Sequence, residues 1–216
     1  HALDVNGDGR TDLIAQTSHN AGSGSAHVCL ADSRGAWNCD AWGYAYPPSA
    51  YDGNNDELYA DVNGDGKADL LIINANNGIV LACPVNAQGS GFDTCAVSSG
   101  IPQRSDKVRL QADLNGDGRI DLLFYNNDRT WDACLARVDA TFVCQYAVAG
   151  PNGVFDGTAE HVLPGDFNGD GRADLAQRQT TDDSNDQWKI CFSSFTMPGA
   201  ASNGFDCPAA TAWTPG

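Results

Sequence analysis

Four short stretches of this chain gather oxygen donors in a pattern suited to a hard cation. In the first, Asp4, Asn6, Asp8 and Asp12 occupy positions 1, 3, 5 and 9 of a loop, and Arg10 at position 7 can add its backbone carbonyl. The set returns as Asp61, Asn63, Asp65, Lys67 and Asp69, then as Asp113, Asn115, Asp117, Arg119 and Asp121. It returns once more as Asp166, Asn168, Asp170, Arg172 and Asp174. Calcium takes six to eight oxygens at about 2.3–2.6 Å, and alternate residues of a tightly curled loop point inward. Glycine at positions 4 and 6 allows backbone angles that a Cβ forbids. A metal-free, glycine-rich turn is the alternative. Three carboxylates within nine residues repel one another, however, and one basic residue cannot cancel them. Calcium at four sites is therefore expected, with water completing each shell; magnesium, which demands a rigid octahedron, fits less well.

No second chemistry competes with this one. The four histidines, His1, His19, His27 and His161, form no H-E-x-x-H pattern. His1 fits a strand start better than a copper chelate. Ser23 and Ser25 sit in a Gly-Ser turn rather than a nucleophile elbow. No phosphate loop or free carboxylate pair is present, so the chain is expected not to be an enzyme. An EF-hand is excluded because its loop takes an acidic ligand at position 12 and runs into a helix. Position 12 here is Ala15, Ile72, Phe124 and Gln177.

Elements must position these loops, and they recur with them. The loop starts lie 57, 52 and 53 residues apart. A short strand-like segment precedes each loop, as in Glu57 to Ala60 or Val108 to Ala112. An apolar run follows, such as Leu70 to Ile73 or Leu122 to Tyr125, reading as a strand covered on both faces. Two segments with one cysteine each then form a hairpin. The simplest pairing joins Cys29 to Cys39, Cys83 to Cys95, Cys134 to Cys144 and Cys191 to Cys207, each closing a short loop for roughly 3 kcal/mol in the chain-entropy model. The expected fold is all-β: a propeller-like array of four four-stranded antiparallel blades, each with a calcium loop and an internal disulfide. The whole chain, 1–216, reads as a single repeat domain, with repeats at approximately 1–52, 53–105, 106–158 and 159–216. Polar linkers are expected at 98–107 and 150–158.

Bulk properties fit an exported protein. Eight cysteines, an even number, belong in an oxidising compartment, so secretion or display at the cell surface is expected. The chain begins at His1 rather than Met, as a mature or excised segment does. A net charge of −16 argues against nucleic acid, and no apolar run is long enough for membrane insertion. Twelve of the 28 acidic residues lie in the four loops, so much of that charge serves the metal. Aromatics offer the best clue to a ligand. Trp37, Trp131 and Trp188 are expected to pack between sheets, whereas Trp42, Tyr44 and Tyr46 could line a sugar- or peptide-binding groove.

Asp-x-Asn-Gly-Asp-Gly-x-x-Asp-Leu in all four repeats resembles the FG-GAP, or VCBS-type, repeat of integrin α-subunit propellers, and the resemblance covers essentially the whole chain. It implies a propeller with calcium in the hairpin between the first two strands of each blade, and adhesion, recognition or structural assembly rather than catalysis. A protein or glycan partner, or copies of the chain itself, would be bound. The alternatives are an accessory propeller of a larger secreted enzyme or toxin, and a carbohydrate-binding lectin. Two features depart from the family pattern: four repeats where seven blades are usual, and a cysteine pair in every repeat.

Overall fold

The structure is a computed structural model that describes residues 1–20, 23–45, 55–74, 76–102, 108–126, 130–148, 150, 162–180, 186–198, 200 and 203–208. Its strands are β1 (Ala2–Leu3), β2 (Asp12–Asn20), β3 (Ser23–Ala31) and β4 (Trp37–Ala45), then β5 (Asn55–Ala60), β6 (Asp69–Asn74), β7 (Ile79–Cys83) and β8 (Ala96–Ser99). They continue with β9 (Val108–Ala112), β10 (Asp121–Tyr125), β11 (Trp131–Ala136) and β12 (Phe142–Gln145), and end with β13 (Val162–Gly165), β14 (Asp174–Thr180), β15 (Asp186–Ser193) and β16 (Phe205–Asp206). Each successive group of four forms one antiparallel sheet in chain order. The expected strand, loop, strand, hairpin order thus holds in all four repeats. β8 extends to Ser99, so the linker expected from residue 98 starts later.

Two compact units divide the chain. One comprises His1–Ser105 with Arg137–Phe142, the other Asp106–Ala136 with Val143–Gly216. In the first, Val5, Ile14 and Val28 share a core with Val85, Tyr59 and Phe92. In the second, Leu114, Leu123, Trp131 and Leu135 pack with Val162, Leu175, Phe195 and Phe205. Sheet-on-sheet burial therefore supplies the core of each unit, because a single four-stranded sheet has too little apolar surface of its own.

β6 and β10 are buried at every residue, as their unbroken apolar runs imply. In β2, by contrast, Asp12 and Ile14 are buried while Leu13 and Ala15 are exposed. Trp131 is buried as expected, but Trp37 and Trp188 are substantially exposed rather than packed between sheets. Their spacing from a cysteine fixed their place in the hairpin, not the presence of a neighbouring sheet to cover them. Among the described residues no helix is long and apolar enough to cross a membrane.

All four cysteine pairs form as expected: Cys29 with Cys39, Cys83 with Cys95, Cys134 with Cys144 and Cys191 with Cys207. Each ties the third strand of a sheet to the fourth or to the residues flanking it.

Candidate functional site

Every acidic loop is the turn between the first two strands of its sheet. Leu3 pairs with Asp12, Ala60 with Asp69, Ala112 with Asp121 and Gly165 with Asp174, so position 9 already belongs to the second strand. The glycines at positions 4 and 6 have φ between 75 and 84° in all four loops, which is why glycine is needed there.

Position 1 organises the loop backbone. Asp4 Oδ1 accepts hydrogen bonds from the Gly7 and Asp8 N–H groups at 2.8 and 3.1 Å, and Oδ2 accepts that of Gly9 at 2.7 Å. Asp61, Asp113 and Asp166 repeat the arrangement. These N–H groups hold the Asp166 carboxyl below its ordinary pKa, that of Gly171 foremost. At position 3, the Oδ1 of Asn6, Asn63, Asn115 and Asn168 accepts the N–H of the position-5 aspartate. At position 5, the aspartates pair with the position-7 cations: Asp8 with Arg10, Asp65 with Lys67, Asp117 with Arg119 and Asp170 with Arg172.

Position 9 has a role that the sequence reading missed. Asp12, Asp69, Asp121 and Asp174 are fully buried. Each accepts one N–H from position 2 of its own loop: Val5 at 3.0 Å, Val62 at 3.2 Å, Leu114 at 2.9 Å and Phe167 at 3.0 Å. The other oxygen accepts an N–H from the third strand or just beyond it: Ala31 at 2.8 Å, Val85 at 2.9 Å, Ala136 at 2.8 Å and Ser193 at 2.7 Å. Those four donors each stand two residues after the first cysteine of their repeat, a constant offset visible in the sequence. The carboxylate therefore splices the acidic loop to the disulfide hairpin. Burial pushes the Asp121 carboxyl up to about 8 and that of Asp69 to about 7, against the pull of their two backbone donors. Asp174 shifts upward for the same reason.

These residues pass a test of donor chemistry for calcium. Every side chain at positions 1, 3, 5 and 9 offers oxygen, and a divalent cation nearby favours the ionised form of the buried aspartates. Their present placement is that of a hydrogen-bonded turn. Among the described residues, no group of three or more acidic, His or Cys side chains converges to hold a metal. Arg or Lys at position 7 lies on the carboxylate that a cation would claim.

Of the three aromatics expected to line a groove, Trp42 and Tyr44 fall in β4 but their side chains lie outside the described residues, as does all of Tyr46.

Comparisons with known proteins agree with this architecture. The family model for the FG-GAP-like repeat matches residues 113–176, from the third acidic loop through the fourth. A T-cell immunomodulatory protein homolog of Plasmodium yoelii yoelii is 32% identical over 132 residues, covering 56% of this chain and 19% of that protein. The fold is similar to that of an Agrocybe aegerita lectin whose structure concerns specific recognition of non-reducing terminal N-acetylglucosamine. That similarity has a TM-score of 0.63 at 18% identity, over 98% of this chain and 50% of the lectin chain. The chain thus spans half or less of the length of either protein. Residues 113–176 thus match the FG-GAP-like repeat, and the first two loops of the chain carry the same motif.

Proposed function

We propose that this chain is an extracellular, calcium-binding recognition module without catalytic activity. The observation that carries the reading is the fourfold recurrence of one all-oxygen loop, each spliced by a buried aspartate to a disulfide hairpin. Calcium would displace the position-7 cation from the position-5 carboxylate and draw in the position-1, -3 and -9 oxygens with the position-7 carbonyl. Four divalent ions would neutralise half of the net charge of −16. Metal and disulfide together would hold both ends of each sheet rigid, which keeps the ordering cost of binding small. Four disulfides and the likeness to an immunomodulatory protein homolog support an extracellular or cell-surface setting.

Isothermal titration of the chelator-stripped protein tests the metal: four calcium ions per chain are expected, and no heat at millimolar calcium would overturn the reading. The lectin-like fold favours a glycan as the recognised partner, and exposed Trp188 and Tyr146 supply aromatic faces suited to sugar rings. A glycan array including terminal N-acetylglucosamine, with and without EGTA, tests that part. Binding lost on chelation supports it; a blank array redirects the search to protein partners.

A further inference from the structure

Successive acidic loops touch one another inside each compact unit. In the first unit, the Ala68 N–H at position 8 of the second loop donates to the backbone carbonyl of Asp4, position 1 of the first, at 3.1 Å. In the second unit, the Ala173 N–H of the fourth loop donates to the Asp113 carbonyl of the third at 2.7 Å. The backbones crowd together around these bonds. A Cβ on Gly7 would stand 3.1 Å from Lys67 Cγ, and one on Gly116 would stand 3.2 Å from both Arg172 Cγ and the Gly171 carbonyl oxygen.

Each bonded N–H belongs to the same peptide group as a position-7 carbonyl: Ala68 with Lys67, and Ala173 with Arg172. Those carbonyls are the backbone oxygens expected to serve calcium. No described peptide bond is cis, so N–H and carbonyl point in opposite directions across one rigid plane. Fixing the N–H on the preceding loop therefore fixes the direction of the carbonyl. The bond also polarises that carbonyl and makes its oxygen a stronger ligand. Asp4 and Asp113 thus act twice. Their carboxylates organise their own loops, and their backbone carbonyls aim an oxygen of the next.

A second link reaches position 9. In the second unit, Ser193 donates its N–H to Asp174 Oδ1 at 2.7 Å and its hydroxyl to the Leu114 carbonyl, position 2 of the third loop, at 2.5 Å. The corresponding residue in the first unit, Val85, has no hydroxyl. Its N–H holds Asp69, and its side chain shares a core with Val5 at position 2 of the first loop.

We infer, resting on the calcium reading, that Asp4 and Asp113 are positioning residues for the following loop, so that calcium binds cooperatively within each pair: first loop with second, third with fourth. An ion in the earlier loop orders position 1, and with it the carbonyl that aims the oxygen of the later loop. Such coupling is reciprocal: each ion of a pair favours the other by the same factor. Charge works in the opposite sense. Three aspartates and one basic residue leave an empty loop at −2, which one calcium ion cancels, so a filled neighbour attracts the second ion less. Exposed charges are screened beyond about 8 Å at physiological ionic strength, which leaves the backbone link as the stronger effect.

Nitrogen-15 NMR of the full chain during a calcium titration, in about 0.15 M salt, reads the loops separately. The Gly118 and Gly171 N–H groups, each seated on the position-1 carboxylate of its loop, report on the third and fourth. Asp117→Ala should weaken calcium at the fourth loop roughly five- to tenfold, and Asp170→Ala should weaken the third by the same factor. Charge alone would tighten the fourth loop instead, because the substituted third loop stays at −1 where the parent is neutralised. Ser193→Ala, which keeps the N–H that Asp174 accepts, should shrink the factor at least about twofold while both loops still titrate. Asp117→Asn and Asp170→Asn repeat the comparison should an alanine variant fail to fold. An unchanged or tighter fourth loop in Asp117→Ala would overturn the coupling and leave the calcium reading standing, as would unequal factors in the two directions. Glycine signals that ignore calcium in the unsubstituted chain would remove the calcium reading and the coupling together.

Discussion

Asp121 separates two roles that the loop aspartates could share. Its Oδ2 accepts the Leu114 N–H at 2.9 Å and its Oδ1 the Ala136 N–H at 2.8 Å, both in fully buried surroundings. Asp121→Ala leaves two buried N–H groups without acceptors, at about 1–3 kcal/mol each, for a total of roughly 2–6 kcal/mol. For a domain of this size that lowers the melting temperature by on the order of 10 °C. Asp121→Asn, which keeps one acceptor oxygen, should fall between. The Asp117 carboxylate, four residues earlier, accepts from the Asn115 side chain and the Arg119 N–H and pairs with the Arg119 guanidinium on the partly exposed rim. In EGTA, Asp117→Ala should therefore cost no more than about 1 kcal/mol. In calcium both variants lose more, because each also forfeits the ligand of one metal site, worth about 2.7 kcal/mol when calcium is a hundredfold above its Kd. The assay is thermal denaturation followed by circular dichroism, for both variants, with calcium and with EGTA. An Asp121→Ala protein that melts like its parent in EGTA would refute the splice. An Asp117→Ala protein that keeps the full calcium-induced rise would refute its role as a ligand.

Chelation should lower the melting temperature of the unsubstituted chain, and an unchanged melt in EGTA would count against structural calcium. Replacing Cys134 and Cys144 together by alanine, which opens a loop with a sequence separation of 10, should cost roughly 3 kcal/mol in denaturant titration, without changing the other three disulfides in peptide maps. Gly116→Ala should destabilise more than Gly118→Ala. Both have positive φ, 75 and 82°, but only the first Cβ meets the Arg172 stem and the Gly171 carbonyl, at 3.2 Å each. Equal losses in a chemical denaturation series would show that backbone strain alone decides. Gly150→Ala should be the most damaging of the glycine changes, since its Cβ would stand 2.0 Å from the Phe205 carbonyl oxygen; soluble protein with a parental melt would contradict that packing.

Much of the local structure was legible in the residues themselves. Asn-Gly-Asp-Gly between two β-formers specifies a loop with two left-handed residues, because glycine alone adopts that backbone without strain. Cysteines 10 to 16 residues apart across a turn bring their strands within bonding reach, so the four pairings followed from sequence spacing. The unbroken apolar runs of β6 and β10 announced burial on both faces.

Burial between sheets and the sharing of hydrogen bonds needed the tertiary structure. Asp12, Asp69, Asp121 and Asp174 read like further loop ligands, yet each spends both oxygens on backbone groups, one of them fifteen to nineteen residues distant. Only the sheet register brings those N–H groups to the carboxylate. Trp37 and Trp131 look alike in sequence, each near a cysteine, but one is exposed and the other fully buried. Leu13 and Leu70 share the same motif position with opposite exposure. Sequence determines which face of a strand is apolar through its two-residue period. Whether anything stands against that face is a property of neighbouring sheets, and short-range patterning carries no record of them.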